Sequence, residues 1–97
     1  MYPVNVNTNT LGGSTLREIL LVEDNAKLAS TIIEQLKNED YAVRWAADGL
    51  EALNMFQRGE PDLVLLDWML PKVSGLDVLK QIRTTSPVPV LMLTART

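Results

Sequence analysis

The chain has 97 residues, 46% of them hydrophobic and 22% charged, a make-up that suits one soluble globular domain with a modest core. It contains no cysteine and no histidine, which excludes a disulfide scaffold, Cys/His zinc sites and every histidine-dependent catalytic arrangement; any metal must sit on oxygen ligands, as magnesium, calcium or manganese does. The formal charge of −3 argues against nucleic-acid binding by charge alone, no apolar run nears the roughly 20 residues of a membrane span, and no basic-then-apolar leader opens the chain, so a cytoplasmic location is the default.

Residues 1–16 are uncharged and rich in Asn, Thr and Gly, and read as a flexible N-terminal extension ahead of a domain over 17–97. Ile19-Leu20-Leu21-Val22 is an apolar run without alternation, the pattern of a strand buried on both faces, and it ends at Glu23 and Asp24. Asn25 suits a helix N-cap, and Leu28, Ile32, Ile33 and Leu36 give Ala26 to about Asn38 an apolar stripe. Tyr41 to Ala46 alternates as a second strand. Asp48 and Glu51 have the spacing of a capping box, Leu50, Leu53 and Phe56 supply the next helix's apolar face, and Gly59 with Pro61 stops it.

Leu63 to Leu66 reads as another strand buried on both faces, and it ends at Asp67. A loop from Trp68 to Val73 precedes a third helix, capped by Ser74 with Asp77 and carrying Leu76, Leu79 and Ile82. Pro87 and Pro89 interrupt before a fourth strand, Val90 to Leu93, which ends at Thr94.

This βαβαβαβ order predicts a doubly wound parallel sheet with helices on both faces. In such sheets ligands gather at the carboxyl ends of the strands, which here carry Glu23, Asp24, Asp67 and Thr94. One acid after a strand is commonly a turn residue or a cap; three acids and a threonine at the same end of three apolar strands are not explained that way. If the first and third strands are neighbours, the carboxylates converge and repel unless a cation lies among them. Magnesium answers that need, since it takes one or two carboxylates, water and a phosphate oxygen. A carboxylate is also a competent nucleophile toward phosphorus.

Four stretches, in order and at matching spacing, resemble the receiver domain of two-component response regulators. They are Leu21-Val22-Glu23-Asp24-Asn25, Ala47-Asp48-Gly49-Leu50-Glu51-Ala52-Leu53, Leu65 to Gly75 (LLDWMLPKVSG) and Val90 to Arg96 (VLMLTAR). The "DWMLP" and "LMLTAR" details are most similar to the OmpR/PhoB-type transcription-factor subfamily. The resemblance implies a flavodoxin-like fold with strand order 2-1-3-4-5, incomplete at its C-terminal end: the last helix-strand-helix portion, with a phosphate-pairing lysine, has no counterpart here, and the fourth strand becomes an edge. It implies that Asp67 accepts a phosphoryl group from a sensor histidine kinase. Glu23, Asp24, Asp67 and the backbone carbonyl of Met69 would hold Mg2+, and the Thr94 hydroxyl would act as the switch. Independent substrate turnover is not expected. A homodimer or strand exchange through the open edge is the expected self-association. DNA binding would belong to a winged-helix domain of a full-length protein, not to this chain.

Three other classes compete. A pseudo-receiver would act as a phosphorylation-independent interaction module, which the absent lysine favours and the complete acid set disfavours. A haloacid-dehalogenase-type phosphatase would need a second Asp two positions after Asp67, where Met69 stands. A flavin or dinucleotide domain would need a glycine cluster after the first strand, and none is there. Lys72 reads as a solvated loop charge, Trp45 as strand packing, Asp48 as a cap, and Gly75 as a residue that permits unusual backbone angles.

Overall fold

The computed structural model describes residues 16–93. Apart from Leu16, the expected N-terminal extension lies outside the described residues, as does Thr94. Four strands and three helices alternate: β1 (Glu18–Val22), α1 (Ala26–Asn38), β2 (Ala42–Ala46), α2 (Gly49–Arg58), β3 (Leu63–Asp67), α3 (Gly75–Arg83) and β4 (Val90–Leu93). All strands are parallel, in the order β2-β1-β3-β4. This is the parallel sheet expected from the alternation, with the flavodoxin-like strand order that the resemblance implies. Ile19 pairs with Val43 on one side and Leu63 on the other, and Val64 pairs with Val90. Among the described residues no helix is long and apolar enough to cross a membrane.

The helix starts follow the local chemistry. Asn25, Asp48 and Ser74 each accept a hydrogen bond from the backbone N–H three residues on, at 3.0, 2.8 and 3.2 Å. Glu51 completes its half of the capping box one residue early, accepting from the Ala47 N–H at 2.9 Å. The end of α1 is a Schellman turn. Asp40 takes the left-handed conformation (φ 69) and donates to the Lys37 carbonyl, while Tyr41 donates to the Leu36 carbonyl. The end of α2 is gripped from the sheet: Arg44 of β2 donates to the Met55 carbonyl at 3.1 Å and the Gly59 carbonyl at 2.7 Å, and pairs with Glu18 of β1. A cation there offsets the negative end of the helix dipole.

The main core lies on one face of the sheet. Leu20, Val22, Ala46, Val64 and Leu66 meet Ala52 and Phe56 of α2 and Val78 and Ile82 of α3. β1 is buried on both faces, as its unbroken apolar run predicts. β3 departs from that expectation. Val64 and Leu66 are fully buried, whereas Leu63 and Leu65, on the opposite face, are only half-buried. Next to them Leu91 of β4 is 56% exposed. Three residues expected on apolar helix faces, Leu28, Leu50 and Leu76, are exposed, and Ala29, Ala52 and Val78 are the buried contacts instead. Each of these leucines shares a first helical turn with a buried residue, so the side of the helix it occupies decides its exposure.

Candidate functional site

Parallel strands place their carboxyl ends side by side, and β1 and β3 are hydrogen-bonded neighbours. Glu23 and Asp24 follow β1, and Asp67 ends β3. The three side chains each offer a carboxylate oxygen, all within 4.8 Å of one another. Glu23 and Asp67 are buried and Asp24 is exposed, so the cluster has a floor and an open mouth. The two ion pairs among the described residues, Arg44–Glu18 and Lys72–Asp48, do not reach these acids.

The electrostatics follow from that placement. Burial pushes the Glu23 carboxyl above its ordinary range; the Asn25 N–H, donating to it at 3.0 Å, pulls the other way, and the Asp67 and Asp24 charges raise it further. Three carboxylates this close, two of them buried, form an all-oxygen donor set. That set fits magnesium, which binds carboxylate oxygens and keeps water at its open positions.

Both acid-bearing loops are tightly held. The Glu23 N–H donates to the Ala46 carbonyl at 3.0 Å, and its own carbonyl accepts the Trp45 indole N–H at 2.8 Å. Trp45 therefore does more than the strand packing expected of it. After Asp67, the Met69 N–H donates to Asp67 Oδ1 at 3.4 Å, and the side chains of Trp68 and Met69 are about half exposed. Pro71 to Val73 forms a three-residue turn closed by the Val73 N–H to the Pro71 carbonyl at 2.8 Å. Lys72 at its centre has φ 71, a strained conformation for a residue with a side chain.

Gly75 serves a different purpose from the one its type suggests. No described glycine has a positive φ. A Cβ on Gly75 would instead collide with the Asp67 carbonyl oxygen and lie 2.9 Å from that of Trp68. Its N–H donates to the Trp68 carbonyl at 3.1 Å. Glycine lets the start of α3 close onto the backbone of the acid itself. Asp48 caps α2 as expected, and it also pairs at 3.4 Å with Lys72, whose side chain stays exposed as a solvated loop charge. The Glu51 N–H, and secondarily Lys72, hold the Asp48 carboxyl below its ordinary range.

Glu23, Asp24 and Asp67 thus meet as the sequence predicts, and Met69 lies on the adjoining loop. The indole bond of Trp45 was not foreseeable from spacing. Its only cue is position, at the carboxyl end of a strand beside the acids.

Comparison with known proteins agrees with this geometry. The family described as the response regulator receiver domain matches residues 19–97. The sensory transduction protein RegX3 of Mycobacterium tuberculosis is 46% identical over 81 residues, which cover 84% of this chain and 36% of RegX3. The DNA-binding response regulator MtrA of the same species is 44% identical over 84 residues, 86% of this chain and 37% of MtrA. The chain therefore spans about a third of the length of these relatives. Among solved structures, the chemotaxis response regulator CheY4 of Vibrio cholerae superposes with a TM-score of 0.81 at 32% identity, covering 86% of this chain and 72% of that one. The family match, the sequence relatives and the solved structure agree, and the chain belongs to the response regulator receiver family of two-component systems, with OmpR/PhoB-type regulators among its relatives.

Proposed function

We propose that the chain is a magnesium-dependent phosphoacceptor, with Asp67 as the nucleophile. The observation that carries this reading is the convergence of Glu23, Asp24 and Asp67 within 4.8 Å, with no basic side chain among the described residues paired to them. Glu23, Asp24, Asp67 and the Met69 carbonyl would hold Mg2+, which when bound offsets the repulsion between carboxylate and phosphate. An Asp67 oxygen attacks phosphorus, the bond from phosphorus to the donor's imidazole nitrogen breaks, and that nitrogen keeps the electron pair. The product is an acyl phosphate on Asp67 and, with a proton carried on the other ring nitrogen or taken up from water, a neutral imidazole on the donor. The donor is a sensor histidine kinase. Exposed Leu28, Leu50, Leu76, Trp68 and Met69 stand at the same end of the sheet and suit a protein donor.

The remaining roles rest on the family resemblance. Thr94 turns its hydroxyl to the phosphoryl group as the switch, in the cytoplasm, and the output is transcription, through a DNA-binding portion of a longer protein. No independent turnover belongs to this chain. Among the described residues β4 is an edge strand, and with exposed Leu91 it favours a second reading, self-association through that edge. Sedimentation across a range of concentrations would show a dimer if it holds and a monomer throughout if it does not.

The phosphoacceptor reading is tested by incubating the chain with Mg2+ and acetyl phosphate and measuring its intact mass. One phosphoryl adduct is expected on the parent and none on Asp67→Asn. An adduct that persists on Asp67→Asn, or a folded parent that takes none, would overturn it.

A further inference from the structure

The segment joining β2 to α2 donates no ligand to the acid cluster, yet it touches both loops that do. We propose that this junction, Trp45 to Gly49, is a positioning element that sets the spacing between Glu23 and Asp24 on one side and Asp67 and Met69 on the other.

The first loop is held through its backbone. Glu23 has both main-chain groups engaged by the end of β2: its N–H by the Ala46 carbonyl at 3.0 Å, its carbonyl by the Trp45 indole at 2.8 Å. The Ala46 bond continues the sheet ladder. The indole bond is an addition, made by a side chain 37% exposed that packing alone does not fix.

The second loop is held by charge and by fit. Asp48 pairs with Lys72, the strained centre of the Pro71–Val73 turn. Strained residues persist where their surroundings over-determine them. Gly49 supplies that constraint. A Cβ there would lie 2.5 Å from the Val73 carbonyl oxygen, 2.9 Å from Val73 Cβ and 2.8 Å from Val78 Cγ2. Two of those three atoms belong to Val73, which closes the turn, so any side chain at position 49 must displace it. One short segment therefore contacts both acid-bearing loops, and the distance between them depends on it.

This role presupposes the magnesium reading above, and the choice of cation separates the two. Magnesium requires near-ideal octahedral oxygens at about 2.0–2.1 Å, whereas calcium accepts irregular sets at about 2.3–2.6 Å. Misplaced ligands should therefore penalise magnesium far more than calcium. Loss of folded protein should penalise both alike.

The test is calorimetric titration of the full chain with MgCl2 and with CaCl2, for the parent, Trp45→Phe and Gly49→Ala, with circular dichroism to verify folding. Trp45→Phe keeps a ring on the strand and removes the indole N–H, so it decides the matter if Gly49→Ala does not fold. Outer-shell groups typically contribute about 10–100-fold to metal affinity. We expect magnesium affinity to fall about tenfold in each folded variant, with calcium affinity changed by less than about threefold. Unchanged magnesium affinity, or equal losses for both ions, would overturn the positioning role while the parent's own binding upholds the magnesium reading. A folded parent that binds no magnesium would overturn both.

Discussion

The two faces of β3 carry the same kind of residue and have different surroundings. Val64 and Leu66 point to α2 and α3 and are fully buried; Leu63 and Leu65 point to the other face and are half-buried, with Leu91 beside them 56% exposed. Leu65 and Leu66 are adjacent in sequence and alike in chemistry, so what separates them is cover. α1 packs against β2, and Ile19 and Leu21 of β1 are buried, whereas among the described residues no helix gives Leu63, Leu65 and Leu91 the same cover. Apolar character therefore records which side of a strand is suited to burial, while the helices decide how far burial proceeds.

Truncation breaks or sustains this comparison most directly. Leu66→Ala should cost about 3 kcal/mol, since it removes a fully buried side chain and leaves a cavity. Leu65→Ala should cost about 1 kcal/mol, and Leu91→Ala less than about 0.5 kcal/mol. Urea unfolding measures all three. Equal losses at positions 65 and 66 would mean that the half-bare face is covered in solution.

A smaller effect sharpens the contrast at the end of the packed strand, where Glu23 is buried and Asp24, the next residue, is exposed. Burial raises the Glu23 carboxyl above its unfolded value of 4.5, so the folded chain holds that proton more tightly than the unfolded one. Ionisation then opposes folding: the stabilisation is complete below 4.5 and is lost as pH rises through the raised folded value. In the presence of a chelator, moving from about pH 7 to about pH 5 should stabilise the parent relative to Glu23→Gln. A midpoint difference that stays constant between the two pH values would show that Glu23 is well solvated. A further effect, comparable to that at Leu65, involves no packing at all. Asp40→Gly should add about 0.5–1 kcal/mol by relieving the left-handed residue of the Schellman turn, and a loss would mean that the Asp40 side chain makes a compensating contact.

Much of this was legible beforehand. Asn25, Asp48 and Ser74 were identifiable as caps because capping depends on a few adjacent atoms. Glu23, Asp24 and Asp67 could be brought together because alternating βαβ order places strand ends at one edge. The exposure of Leu28, Leu50 and Leu76 was not legible, since apolar periodicity marks a broad stripe on a helix without saying which part of it meets the sheet. Arg44 gave no sign that it would reach the Met55 and Gly59 carbonyls, because a long side chain on a strand has many acceptors in range. Gly75 looked like a residue wanted for its backbone freedom, and only the folded backbone shows that it is wanted for its missing Cβ.

The parallel register also has a kinetic consequence. Ile19 meets Val43 and Leu63, and Val64 meets Val90; each pairing waits on a complete intervening helix, and among the described residues no hairpin offers an early local contact. Loop closure must therefore precede every ladder bond, which places the chain among slower, high-contact-order folders rather than microsecond helical bundles. The helices, with their own caps, can flicker into shape long before the sheet exists. The acid cluster, built where β1 and β3 adjoin, cannot assemble until the chain has bridged β2 and two helices, so the capacity to gather these carboxylates arrives late in folding.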